Sequence, residues 1–323
     1  MKPKLTIAIP TYNRADKLRI SLIRAIECSE KYNIEILVSD NASTDNTKDV
    51  VMDIQRMYPA VKYFRNKENL GFDGNFLNCF EKANGEYIWL LSDDDVIMPN
   101  AIESILEGCN YSPVCMHLNS SGIKKENPFE INLPRFEENG LLKFTNRDDF
   151  IERIGIYCTF VSSLVYKNEL VKRVKNKEQY FGTNILQSHI LLEIMANEGV
   201  YIINTKNCIA SRGNTTVHYD VFKTWICNYS ELLLSTATKC GFNENVMSEV
   251  LERGLSTTIY SFVKTYRQTC PDEHNWERKE IWKYIERYPK IVKKYKRVIN
   301  CSVKHLKWIK IEDKLRKILE DGK

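Results

Sequence analysis

The feature that most constrains this chain is a series of short apolar, β-branched segments, each ending in a polar cluster and followed by a helical pattern. Residues 5–9 form the first, stopped at Pro10, and residues 34–38, 61–64 and 87–91 repeat the pattern. Runs of this length bounded by turn formers read as buried strands. Between them, residues 15–29 place Leu18, Leu22, Ile23 and Ile26 at helical spacing. Residues 47–57 read as a second helix, capped by Asp45 and closed before Pro59, and residues 75–83 as a third, ending near Gly85. A strand–helix repeat of about 25–30 residues predicts parallel strands joined by right-handed crossovers. Ligands of such sheets bind beyond the carboxyl ends of the strands. The clusters Pro10–Arg14, Ser39–Asn46 and Ser92–Asp95, after the first, second and fourth strands, fall there; Asn69–Gly74 is a glycine-bearing loop after the third.

Further along, residues 110–185 are broken by proline and glycine, with a strand-like piece at 159–166. A helix is expected at 188–197 and a strand at 200–203. Beyond about residue 215 the pattern changes to long helices, over 221–236, 244–267 and 276–323. The expected organisation is an α/β domain at 1–215 and a helical subdomain at 216–323.

Charge divides the same way. Of the net +5, residues 276–323 supply +9 (16 Lys/Arg against 7 Asp/Glu), leaving −4 for the remainder. That segment interleaves Trp276, Trp282, Tyr284, Tyr288, Tyr295 and Trp308 with lysines, a composition suited to an anionic membrane surface. The competing reading packs the aromatics on a core and leaves the lysines in water. Nucleic acid is not an expected partner; pairing with a second copy through the helices is a further option. Ten cysteines show no CxxC pair, and no run reaches the ~18 apolar residues of a membrane span. Reduced thiols and a cytoplasmic location, peripheral on the inner face of the cell membrane if the tail binds lipid, are expected.

Ser92-Asp93-Asp94-Asp95 carries the strongest chemical signal. Three adjacent carboxylates at a strand end repel one another, and grouping them is costly unless a cation offsets the charge. Hard divalent ions such as Mg²⁺ or Mn²⁺ take carboxylate oxygens and leave positions open for phosphate. Taken alone, the triplet reads equally well as an exposed acidic turn.

Together with Pro10-Thr11-Tyr12-Asn13-Arg14, Asp40-Asn-Ala-Ser-Thr-Asp45 and Asn69-Leu-Gly71, in this order and ahead of Pro99, the triplet resembles the family 2 glycosyltransferases of the GT-A fold. The resemblance covers residues 4–105. It implies a nucleotide-sugar donor, UDP-linked by preference, a glycan or lipid-linked acceptor, inversion at the anomeric carbon and a role in surface polysaccharide synthesis. By position it gives the nucleoside diphosphate to Pro10, Thr11, Tyr12 and Arg14, the base to Asp40, and the donor's flank to Asn69 and Gly71. Asp93 would meet the ribose, Asp94 the metal, and Asp95 would orient the sugar or support the metal. Where the family carries an acidic base ahead of a helix, this chain has Gln187-Ser188-His189. His189, with Glu193 one turn on, is the candidate base, and His218 is the other. Arg212 and His218 are candidates to close over the diphosphate. Two rivals from other classes are a scaffold that has lost catalysis, and a nucleotidyltransferase. The latter usually shows a glycine-rich first loop, which the Pro10–Arg14 loop lacks.

Overall fold

The computed structural model describes residues 2–124, 127–212, 219–269 and 279–299. The first hundred residues form β1 (Leu5–Thr11), α1 (Ala15–Ser29), β2 (Ile34–Asp40), α2 (Thr47–Met57), β3 (Lys62–Arg65), α3 (Gly71–Lys82) and β4 (Tyr87–Leu90). β1 pairs in parallel with both β2 and β4, and β2 with β3, as the strand–helix repeat requires. Helices α1 and α2 occupy the expected residues. Helix α3 begins four residues early, because side chains satisfy the amides a helix start leaves open. Asn41 accepts from the Leu70 amide, and Asn69 from that of Gly71.

The chain continues through β5 (Val96–Ile97), α4 (Ala101–Cys109), β6 (Cys115–Lys124), β7 (Asn127–Ile131), β8 (Leu141–Phe144), α5 (Arg147–Ile154), β9 (Leu164–Lys167), α6 (Asn168–Arg173), α7 (Leu186–Met195) and β10 (Tyr201–Ser211). The sheet order is β3-β2-β1-β4-β9-β6-β10-β5, with β7 on β6 and β8 on β10. β9 runs antiparallel to both neighbours, β4 and β6, so a largely parallel half is joined to a mixed half. The strand expected over 159–166 forms only from Leu164, as β9; ahead of it lie two 3₁₀ turns, Gly155–Thr159 and Val161–Ser163. Ser162 is drawn there by the Trp89 indole N–H, which donates to its carbonyl.

Side-chain alternation along the strands builds two cores. Ile7, Ile9, Val38, Trp89 and Leu91 join α1, α2 and α4 on one face. Ala8, Leu37, Ile88 and Leu90 join α3, α5 and α7 on the other. Gly85 lets the turn before β4 press against β1: a Cβ there would lie 2.5 Å from the Thr6 nitrogen and 2.7 Å from the Tyr87 carbonyl oxygen.

The C-terminal helices are shorter than the periodicity predicts. A helical stretch containing two π segments, Lys223–Asn228 and Leu232–Thr236, leads to helices at Glu244–Ser256, Thr258–Thr269, Lys279–Ile285 and Pro289–Ile299. The helix expected over 244–267 breaks at Thr257, whose φ of −119° and ψ of −91° are not helical. The helix expected from 276 divides ahead of Pro289, a residue that disfavours helical backbone in its predecessor. Phe222, Leu233, Leu251 and Tyr295 share the core of α3 and α7, so this extension is a layer on the sheet. Tyr284, Tyr288 and Tyr295 are buried and Trp282 packs against them. For these residues the core reading of the aromatics holds, while Lys290, Lys293, Lys294 and Lys296 face solvent. Trp276 and Trp308 lie outside the described residues. Eight described cysteines are free thiols. Among the described residues no helix is long and apolar enough to cross a membrane.

Candidate active site

The carboxylate triplet follows β4, whose neighbour β1 delivers Thr11 and Arg14 to it. Thr11 donates its hydroxyl proton to Asp93 Oδ2 at 2.7 Å. Arg14 Nη1 reaches Asp93 Oδ1 at 3.0 Å and Asp94 Oδ2 at 3.1 Å, bridging the two carboxylates. Lys17, one turn into α1, stands 3.9 Å from the same Asp94 oxygen. Asp94 also accepts from Ser92 Oγ at 2.7 Å. Asp95 turns the other way: Ser162 Oγ donates to it at 2.6 Å, and the Ser211 hydroxyl and the Arg212 backbone N–H complete its shell.

All three carboxylates are buried, and the electrostatics follow. Desolvation, with repulsion from Asp94, raises Asp93 to about 6 against the pull of Arg14. The same two causes raise Asp95 to about 7, against hydrogen bonds from the Ser162 and Ser211 hydroxyls and the Arg212 amide. Burial works to lower the Arg14 pKa, but Asp93 and Asp94 outweigh it and the pKa is raised.

Around this cluster the loops after β2 and β3 lock together. Asp40 is fully buried; it accepts from the Tyr63 hydroxyl at 2.6 Å and the Ser43 amide at 2.9 Å, with Arg65 Nε at 3.4 Å. Asn41 donates to Asn69 Oδ1 at 2.7 Å and to the Gly71 carbonyl at 3.1 Å. Gly71 has a φ of +71°, which glycine adopts without strain. Asp45 receives the Thr47 amide and hydroxyl and the Ala15 amide, tying the starts of α1 and α2 together, although the cap position is Asn46. Tyr12, 41% exposed, stands with Asn13 to Lys17 around an open cavity of about 690 Å³. Pro10 lies within β1, in register with Ser39.

His189 and Glu193 are held elsewhere. The His189 ring stacks on Tyr180 at 4.2 Å, and its Nδ1 lies 3.0 Å from Thr236 Oγ1. It is 3% exposed, and burial lowers its pKa to about 4. Glu193 accepts from the Tyr180 hydroxyl. Among the described residues, neither shares a hydrogen bond with the triplet or the donor loops. Gln187, at the start of α7, does connect with the site: its Nε2 donates to the Thr159 carbonyl, three residues before Ser162. Arg212 meets the site through its backbone. His218 lies outside the described residues.

Sequence reading missed Lys17, Asn41 and Ser162. Lys17 was legible, since it stands one helical turn after Arg14. Asn41 sits inside the Asp40–Asp45 cluster. Ser162 is 67 residues from the aspartate it binds, and no local pattern marks it.

A parallel nucleotide-binding half, a carboxylate-and-arginine cluster at its strand ends and a mixed second half define a GT-A glycosyltransferase. Residues 6–173 match the family model "Glycosyl transferase family 2", and the chain belongs to that family. It is a glycosyltransferase, moving a sugar from a nucleotide-sugar donor to a glycan or lipid acceptor. Among its relatives, the GalNAc(5)-diNAcBac-PP-undecaprenol beta-1,3-glucosyltransferase of Campylobacter jejuni is 26% identical over 94% of this chain and 88% of that protein. The abequosyltransferase RfbV of Salmonella typhimurium is 32% identical over 60% of this chain and 62% of its own. Among solved structures, S. aureus TarS 1–349 in complex with UDP-GlcNAc superposes with a TM-score of 0.64, at 16% identity, over 88% of this chain and 79% of that one. The mannosyltransferase PcManGT of Pyrobaculum calidifontis, in complex with GDP-Man and Mn²⁺, gives 0.54 at 17% identity, over 83% and 76%.

Proposed function

We propose that the chain is an inverting, metal-assisted transferase that draws on a UDP-sugar and extends a lipid-linked surface glycan. The observation that carries the donor site is Arg14 bridging Asp93 and Asp94, with Lys17 beside them, where Arg14 and Lys17 line a cavity together with Tyr12 and Asp45–Asn46. A diphosphate entering there meets two cations, and an exposed tyrosine ring offers a face to the base.

Whether these residues suit a divalent ion is a question of donor set. No group of three metal-ligating side chains converges among the described residues. Mg²⁺ and Mn²⁺ at phosphates, however, are commonly held by one or two carboxylates, with phosphate and water completing the shell. Asp94 fits that role as the most accessible of the three, 7% exposed against 3% for Asp93 and 2% for Asp95, with Asp95 turned toward Ser162. When bound, the ion would neutralise charge on the departing diphosphate. The protein's own part is to hold Asp94 in place through Ser92 and Arg14, to anchor the diphosphate on Arg14 and Lys17, and to fix the sugar against Asp95.

The UDP preference rests on Asp40, buried at the end of β2 where the family reads a pyrimidine, and on likeness to a fold partner seen with UDP-GlcNAc. The lipid-linked acceptor rests on the Campylobacter relative, which aligns along 94% of the chain and is named for a polyprenyl-diphosphate substrate. The solvent-facing lysines of Pro289–Ile299 suit approach to an anionic membrane where such an acceptor resides. The proton acceptor proposed for the incoming hydroxyl is His189. In its favour are a ring neutral at pH 7 and an Nε2 that no described residue engages; against it stands its burial.

The test is a melting-temperature panel of UDP, GDP, CDP and dTDP, with and without Mn²⁺, on wild type and Asp94→Ala. Ligands that bind only the folded state raise its melting temperature. Stabilisation by UDP with Mn²⁺, abolished in the variant, is expected; equal stabilisation of both proteins would remove Asp94 from the metal site.

A further inference from the structure

Asp73 has no part in the donor site as described, yet it is among the most heavily engaged carboxylates in the protein. It lies in the first turn of α3, two residues after Gly71, and is 4% exposed. Its Oδ2 accepts the Asn184 amide at 2.9 Å and its Oδ1 the Leu186 amide at 3.1 Å. The amides of Gly182 and Thr183 also point to it. Gly182 and Asn184 adopt φ of +83° and +59°, which curls successive N–H groups into a nest around one anion. The sequence separation is 111 residues. No turn or cap of α3 itself requires this contact.

The segment so gripped is the one that starts α7. Its far end is tied to the carboxylate cluster through Gln187, Thr159 and the Ser162 turn that holds Asp95. Its near end is tied through Asp73 to α3, whose first residues are bonded to Asn41 beside Asp40. These hydrogen bonds run from the donor loop through Asp73 to segment 181–187 and on to the carboxylate cluster. Exposed aromatic residues flank the link on both sides: Phe72, 43% exposed, and Phe181, 46% exposed.

We propose that Asp73 is a positioning residue that hangs the wall at 181–187 on the helix closing the donor loop, so that nucleotide binding stiffens the wall the acceptor meets. The proposal rests on the donor-site reading above. Nucleotide touching residues 69–71 steadies the start of α3, and the Asp73 nest passes that order to 182–186. The exposed aromatics Phe72 and Phe181 are then set at a fixed separation for the faces of acceptor sugars.

Hydrogen–deuterium exchange on the full chain tests this, with peptides covering 66–71 and 181–188. The ligand is whichever of UDP, GDP, CDP or dTDP with Mn²⁺ stabilises the wild type. In the wild type, nucleotide is expected to slow exchange at both segments, by at least threefold at 181–188. In Asp73→Asn, the 182–186 amides should exchange about tenfold faster without ligand, as loss of hydrogen bonds to a charged acceptor implies. Nucleotide affinity should stay within threefold, slowing at 66–71 should persist, and slowing at 181–188 should vanish. Asn184→Gly keeps the amide and the positive φ while deleting the side-chain bond to Thr224, and should transmit as wild type does. A wild type that binds nucleotide without slowing 181–188 overturns the inference even if Asp73→Asn fails to fold, as does a variant that still transmits. A wild type that binds none of the four nucleotides overturns the donor-site reading instead.

Discussion

Replacing Asp95 by asparagine should make the ligand-free protein more stable at pH 8 and leave it no more stable at pH 5. Asp95 is 2% exposed, and burial with repulsion from Asp94 raises it from 3.8 to about 7. Between those values the folded chain holds a proton that the unfolded chain has released, so stability falls as pH rises through this window. The cost is fully present above pH 7 and absent below pH 4. The gap corresponds to ~4 kcal/mol at 1.36 kcal/mol per pKa unit. Asparagine removes the charge but offers one acceptor oxygen where the carboxylate had two, returning roughly 1–2 kcal/mol of that gain in weakened hydrogen bonds. A net gain of about 2 kcal/mol remains, worth roughly 4 °C or more in melting temperature for a chain of this size. Thermal unfolding of both proteins with a chelator present, in buffers from pH 5 to pH 8, measures it. A variant less stable than wild type across the range, or a difference that does not change with pH, would refute the assignment of the cost to a buried charge. The site would then be a region of net structural stabilisation, contrary to the expectation that functional carboxylates are held at the expense of stability.

Two further substitutions separate structural from chemical roles. Gly85→Ala drives a Cβ against the Thr6 and Leu5 backbone and should cost about 3 kcal/mol or more, seen as a lowered denaturation midpoint with normal nucleotide binding in whatever folds. His189→Gln should reduce kcat about 10²-fold or more at little-changed melting temperature, as removal of a general base does. A loss under tenfold, with the melting temperature lowered by a few degrees, would refute the base assignment and leave the ring as a core group stacked on Tyr180.

What the sequence reveals is the part of the fold governed by local pattern. The bounds of α1 and α2, and the parallel pairing of β1, β2 and β4, follow from apolar periodicity and from turn residues that stop each strand. The triplet's place beyond β4 follows from the same logic. The second half resisted because its pairings are long-range. β9 enters antiparallel between β4 and β6, and nothing in Leu164–Lys167 announces direction. Ser162 and Asp73 owe their roles to partners 67 and 111 residues away, and so carry no local signature. The helix breaks at Thr257 and before Pro289 show the opposite failure: periodicity continued where packing on the sheet required a change of direction.

The position of β10 has a consequence for how the chain is made. It lies between β6 and β5 and also carries β8, so three strands synthesised earlier wait for it with open edges. Its last residue, Ser211, and the next amide are partners of Asp95. A ribosome that has released residues 6–173, the whole stretch matching the family model, has delivered the donor loops but neither the closing strand nor the last contacts of the carboxylate cluster. Until about forty residues more emerge, the nascent chain exposes unpaired β6 backbone, a template for association with other chains. Fragments cut at the family boundary inherit that exposed edge permanently, and aggregation rather than a minimal enzyme is their expected fate.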